Sequence, residues 1–327
     1  MKKRVLLSYA IGIALFALFI LTAGIDLSII VRVKNPFLLA LGIVFVLFNF
    51  VVLSWRLKYL LKPFNRVQGF WMRLRIQFID KFVTHFAPSR ANIPVKALAL
   101  SKVTGSGKTE GLSVSSFEFA LDTGTVLFFT LLSLFFFLQG LPYDSTYNFF
   151  IFMAFALIAV LVFFLFPEHW FQRLQSGSDM RTGFFHRLIS KGFKMVHAVR
   201  ADWKTMISHS SMYPVIFFTL LNWVVGVLST YFFFLSYGVD VPFGFIFAVN
   251  AAIAFVGGIT QLPAGIGARE AAMVFLYGFL GYPTPVAAAV AVVSRLAVYV
   301  IVLAGYFWAV QGVLESKPAV GSFKRWP

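Results

Sequence analysis

The sequence predicts an all-α, polytopic integral membrane protein. Three observations carry that prediction. Of 327 residues, 60% are hydrophobic and 12% are charged, about half the charge of a soluble domain of this size. Apolar runs recur along the chain, each near the ~20 residues that cross a bilayer as helix. Lys and Arg collect between those runs, as the positive-inside rule expects. The net charge of +16 therefore points to anionic lipid head groups as counter-charge, not to nucleic acid. The absence of Cys excludes disulfides, thiolate metal sites and thiol catalysis.

The elements follow in order. Met1-Lys2-Lys3-Arg4 precedes an apolar run, Val5–Gly24. That run is long for a signal peptide and no A-x-A site follows it, so it reads as a first transmembrane helix. Further runs cover Phe37–Ser54, Val114–Leu138, Phe149–Phe166, Tyr213–Tyr237, Phe243–Leu262 and Val286–Val310. Ala271–Leu280 is too short to span alone. About six full spans are expected, plus broken or re-entrant helices.

Charge sets the direction. Trp55–Gly111 holds eleven Lys or Arg against Asp80 and Glu110, and Pro167–Met212 holds seven against Glu168, Asp179 and Asp202. Both are expected to be cytoplasmic loops. The turns bearing Asp144 and Asp240 are expected outside. The tail carries Lys317, Lys324 and Arg325 against Glu315, so both termini are expected on the cytoplasmic side of a plasma membrane. Arg32 and Lys34 run against this scheme. Parity then requires Phe243–Leu280 to enter and return on the external side. A re-entrant pair of broken helices meeting at Pro263–Gly267 satisfies it. A full span followed by a short tilted return helix is the alternative.

A similar interruption occurs upstream. Phe78–Ser101 mixes apolar residues with Pro88, Arg90 and Pro94, so one helix should end near Pro88 and another start near Pro94. The single domain, 1–327, then divides into candidate halves 1–140 and 141–315 with inverted topology. In such repeats, paired discontinuous helices mark a substrate site. The competing reading makes Phe78–Ser101 an amphipathic helix on the inner surface.

Few charges fall within the apolar runs or their breaks. Each costs about 2.5–3.5 kcal/mol at mid-membrane and needs a partner or a wet cavity. Glu118 and Asp122 are four apart and share a helical face. They could take a cationic group or a coupling proton, or pair with Arg269, Arg295 or Arg90. Arg295 lies deep in the last run, to hold a phosphate or neutralise an acid. In Pro263-Ala264-Gly265-Ile266-Gly267-Ala268-Arg269-Glu270, the proline ends a helix and the glycines allow tight backbone. A helix from about Ala268 then offers its positive end to an anion, with Arg269 supplying a donor fork. Glu270 complements the dipole. With Glu118 and Asp122 it is a candidate to contact a cationic moiety or couple to protons. Arg90 joins Arg269 and Arg295 as a candidate anion-binding cation.

Other motifs carry less. Thr104–Thr109 reads TGSGKT, but a phosphate-binding loop needs glycine where Lys102 stands. His85, His169, His186, His197 and His209 lack metal spacing. No cofactor is expected.

The stretch LPAGIGAREAAMVF, followed by VAVVSRLAVYVIVLAGY, resembles the flippase-like, lysylphosphatidylglycerol synthase transmembrane-region family. Its Pro-x-Gly-x-Gly-x-Arg-Glu signature and last-helix arginine match Pro263, Gly265, Gly267, Arg269, Glu270 and Arg295. Upstream, Pro88-Ser89-Arg90 matches a Pro-x-Arg-x-Gly element, with Asn92 in place of its glycine. Glu118 and Asp122 match a Glu-Arg-x-x-Asp element, with Phe119 in place of its arginine. The resemblance implies a domain that binds or translocates phospholipids. The soluble aminoacyl-transferase domain of larger members is not found in this sequence, so a non-enzymatic, flippase-like role is expected. The membrane phospholipids are the expected partners. Rival readings are a membrane-embedded transferase acting on lipid or polyprenyl phosphates, with Glu118 and Asp122 as its acids, and a non-transporting partner of a separate lipid-modifying synthase.

Overall fold

The computed structural model describes residues 27–87, 91–137, 198–260 and 262–316. The apolar runs Val5–Gly24 and Phe149–Phe166 lie outside the described residues, as do Asp144, Pro88 and Arg90. Within them the chain is helical and contains no strand.

Helix α1 covers Pro36–Leu61. Asn35 caps it, accepting from the N–H groups of Phe37 at 3.1 Å and Leu38 at 3.3 Å, and Pro36 supplies the preset φ of a first turn. Helix α2, Phe70–Phe86, stops just before Pro88, since the residue preceding proline avoids helical backbone. Helix α3, Asn92–Thr104, carries Pro94 in its first turn. The glycine-rich stretch at Thr104–Thr109 is the tight connection into α4, Lys108–Phe137. Helix α5 covers Met212–Ser236 and α6 covers Phe243–Ile259. After a break, α7 runs from Ala268 to Phe279 and α8 from Thr284 to Glu315.

Four of these, α1, α4, α5 and α8, are long and apolar enough to cross a membrane. Helix α6 has 17 residues and α7 has 12, about 25 and 18 Å at 1.5 Å per residue. They pack on each other. This is the broken pair that the apolar pattern predicts. Its first member ends at Ile259, four residues ahead of Pro263.

The basic stretch from Trp55 to Gly111 is not a loop. Helix α1 continues through Arg56 to Leu61, and α2 and α3 pack on one another inside the bundle. Ile76, Gln77, Asp80, Lys96 and Leu100 are all buried there. A helix lying on the membrane surface would leave one face of such residues outside the protein. The interfacial reading of Phe78–Ser101 is therefore replaced by a second broken hairpin.

The order α1-α2-α3-α4 is repeated by α5-α6-α7-α8. The lengths correspond: 26 and 25 residues, 17 and 17, 13 and 12, 30 and 32. So do the neighbours. Helix α2 packs on α8 as α6 packs on α4, and α3 packs on α4 as α7 packs on α8. The equivalent helices α1 and α5 pair antiparallel. Gly42 accepts from Ser229, Asn49 donates to Asn222 and Trp55 stacks on Phe218, so one number rises as the other falls. The repeat is thus inverted. Close approach of its helices rests on small side chains such as the buried run Val286–Ala291.

Candidate functional site

Among the described residues, ion pairs lie at two places inside the bundle, one in each repeat. The first ties four helices together. From α1, Arg56 donates to Asp122 at 2.5 and 3.1 Å and to Glu118 at 2.6 Å on α4. From α3, Lys96 reaches Glu118 at 2.5 Å and Asp80 of α2 at 3.3 Å. Neutral amides complete it. Gln77 accepts from Lys96 at 3.1 Å and donates to the Leu53 carbonyl at 3.1 Å. Asn92 donates to Asp80 at 3.0 Å. A buried charge is tolerated when paired and hydrogen-bonded, and here two cations share three carboxylates.

The second cluster sits at the α6–α7 break. Thr260 closes α6, its N–H donating to the Val256 carbonyl. The chain then turns through Ala264 at φ 49°, Gly265 at φ 68° and Gly267 at φ 81°. Glycine meets this left-handed backbone without strain; Ala264 does not. Glu270, in the first turn of α7, accepts from the Gly267 N–H at 2.7 Å through one oxygen. Its other oxygen accepts from Arg295 of α8. Arg295 also donates to the Ala264 carbonyl at 2.8 Å. One carboxylate and one guanidinium thus fix the irregular backbone from both sides.

Arg269 is held differently. Its aliphatic stem passes between Gly257 and Gly265. A Cβ on either glycine would lie 2.6–2.7 Å from Arg269 side-chain carbons, closer than packed atoms allow. Arg269 makes no ion pair with a described residue.

A cavity of about 290 Å³ opens beside this break, between α1, α2, α5, α6, α7 and α8. Its charged lining is Lys81, Arg269, Glu270 and Arg295, with His85 alongside. Phe45, Phe50 and Phe233 form an aromatic wall, and Asn49, Thr230, Asn250 and Ser294 a neutral polar one. His85 meets Tyr299 edge-on at 5.7 Å between ring centroids.

A family model described as the lysylphosphatidylglycerol synthase TM region matches residues 5–305. The chain belongs to that family. Among curated relatives, it is 25% identical to a UPF0104 membrane protein of Methanothermobacter thermautotrophicus over 244 residues, 68% of this chain and 70% of that protein. It is 24% identical to a UPF0104 membrane protein of Methanocaldococcus jannaschii over 290 residues, 85% of each chain. No solved structure matches. The spans and the family together make this a membrane protein.

In this family member, the structure brings Gly265, Gly267, Ala268, Arg269, Glu270 and Arg295 together at one break. It puts Glu118 and Asp122 elsewhere. Neither lines the cavity, and their partners are Arg56 and Lys96 rather than Arg269 or Arg295. The two repeats carry the same cross-link with opposite signs. Lys96 of α3 meets Glu118 of α4, whereas Glu270 of α7 meets Arg295 of α8. Sequence reasoning missed Arg56, Lys81 and Lys96 by counting them among loop cations. It also passed over Asn49 and Asn250, whose signal was an amide well inside an apolar run.

Proposed function

We propose that this protein binds, and carries across the bilayer, a lipid whose head group bears an anionic phosphate. The cavity beside the α6–α7 break carries the reading. Among the described residues, three cations, Lys81, Arg269 and Arg295, face it against one carboxylate, Glu270. That carboxylate is engaged by Arg295 and the Gly267 N–H. Arg269 makes no ion pair with a described residue, and a guanidinium so placed in an apolar bundle calls for a ligand anion. Phosphate oxygens fit the fork of Arg269. The aromatic wall would take the first carbons of the lipid.

The role is that of a carrier rather than a catalyst. A transferase reading depended on Glu118 and Asp122, and both are bound to Arg56 outside the cavity. Transport would follow from a head group binding two facing states unequally. The inverted repeat supports this, because two equivalent hairpins can exchange roles. We place the protein in the plasma membrane with both termini cytoplasmic, on the cations of Pro167–Met212 and the tail, and take membrane phospholipids as its partners.

The test is lipid movement in proteoliposomes. Fluorescent phospholipid is quenched from outside, with native protein and with Arg269→Ala. The native protein should expose inner-leaflet lipid and the variant should not. Arg269→Ala moving phosphatidylglycerol at the native rate would remove the phosphate site from this cavity.

A further inference from the structure

Resting on the phosphate reading above, we infer the rest of the head group: it is polyhydroxyl and uncharged beyond its phosphate, of glycerol or sugar type. Ammonium-bearing head groups are disfavoured. The volume, about 290 Å³, lies at the small end of ligand sites. It suits a head group without its acyl chains.

The neutral polar part of the lining has a specific chemistry. Asn49 spends an N–H on the Asn222 carbonyl at 3.3 Å. Asn250 spends one on the Thr230 hydroxyl at 3.1 Å. The side-chain carbonyl of each has no donor among the described residues. Each amide also keeps a second N–H. A hydroxyl both donates and accepts, so it satisfies either half of such an amide. Two amides lining one cavity, from α1 and α6, therefore read a group carrying several hydroxyls.

Charge excludes the alternative. An ammonium needs a carboxylate in a site of low dielectric. Glu270 is the carboxylate lining the cavity among the described residues, and its charge is already paired with Arg295. Lys81 and Arg269 would repel a second cation. The remaining acids that could serve, Asp80, Glu118 and Asp122, are bound to Lys96 and Arg56 away from the cavity.

Native mass spectrometry of the full chain tests this. The protein is offered equal amounts of phosphatidylglycerol, phosphatidic acid, phosphatidylethanolamine and lysyl-phosphatidylglycerol with matched acyl chains. Phosphatidylglycerol should be retained about fivefold over phosphatidic acid, the effect of one or two neutral hydrogen bonds. Asn250→Leu should lower phosphatidylglycerol part-way to the phosphatidic acid level and leave phosphatidic acid unchanged. Asn250→Asp, a smaller change in shape, should raise retention of phosphatidylethanolamine. Equal retention of phosphatidylglycerol and phosphatidic acid, both lost in Arg269→Ala, overturns the hydroxyl inference and leaves the phosphate reading standing. A preference of the native protein for either ammonium-bearing lipid also overturns it. Retention of no anionic lipid above background removes the phosphate reading, and this inference with it.

Discussion

Arg295 donates to the Ala264 carbonyl at 2.8 Å and to the Glu270 carboxylate from the same guanidinium. The last helix is thereby fastened to the irregular turn that precedes α7. Ala264 sits at φ 49°, a conformation that costs energy for a residue with a Cβ and persists only where its surroundings impose it.

Arg295→Ala should therefore do two things. It leaves Glu270 with a buried charge and no guanidinium, a loss of about 3–5 kcal/mol for a broken buried pair. It also frees the turn. Thermal unfolding in detergent should shift down and lipid movement should stop. Arg295→Lys keeps a charge but cannot span both acceptors. It should recover part of the thermal shift and little of the transport. Full transport by the lysine variant would show that charge alone suffices.

The first cluster yields a graded expectation. Glu118 is nearly buried, its side chain 5% exposed, whereas that of Asp122 is 41% exposed. Glu118→Gln leaves Lys96 and Arg56 underneutralised inside the bundle, again about 3–5 kcal/mol. Asp122→Asn removes a half-solvated partner and should cost about 1 kcal/mol or less. Melting of the two variants measures the difference. Equal shifts would mean that Asp122 carries as much of the cluster as Glu118.

These contrasts explain what the sequence makes legible. Apolar length alone locates α1, α4, α5 and α8, because twenty greasy residues have few other solutions. Pro263, Gly265 and Gly267 mark the break, since only certain residues tolerate such backbone. The partners of Glu118 are not legible. Arg56 follows the apolar run and Lys96 sits among eleven cations between Trp55 and Gly111, so both resemble loop charges. What buries them is the packing of α2 and α3 against α1 and α4, a tertiary fact. The apolar residues Ile76, Phe78 and Ile79, set before Pro88 and Pro94, were the available hint. The amides Asn49 and Asn250 are silent for another reason. One neutral polar group in an apolar helix does not change the run, and only the fold shows that both face one cavity.

Gly257 offers a test of Arg269 that leaves every charge in place. A Cβ there would lie 2.6 Å from the Cγ and Cδ of Arg269. Gly257 lies within α6, where alanine is a good helix former. Gly257→Ala should therefore fold, with melting near native, while it displaces the guanidinium. Lipid movement should fall well below native. Gly265→Ala adds backbone strain, because its φ is +68° and its Cβ would also meet the Gly257 Cα at 2.9 Å. That variant should lose both transport and thermal stability. Native transport by Gly257→Ala would show that Arg269 can act from a second position.

The orientation can be settled with single cysteines, because the chain has none of its own. Asp240 is exposed in the turn between α5 and α6, and Lys108 is exposed at the start of α4. Loop charge puts the first outside and the second inside. The antiparallel pairing of α1 with α5 links the directions of the two repeats. Asp240→Cys should react with a membrane-impermeant maleimide in intact cells. Lys108→Cys should react only after permeabilisation. The reverse pattern would invert the molecule and put the α6–α7 hairpin on the cytoplasmic side. Reaction of both from outside would break the inverted relation between the two repeats.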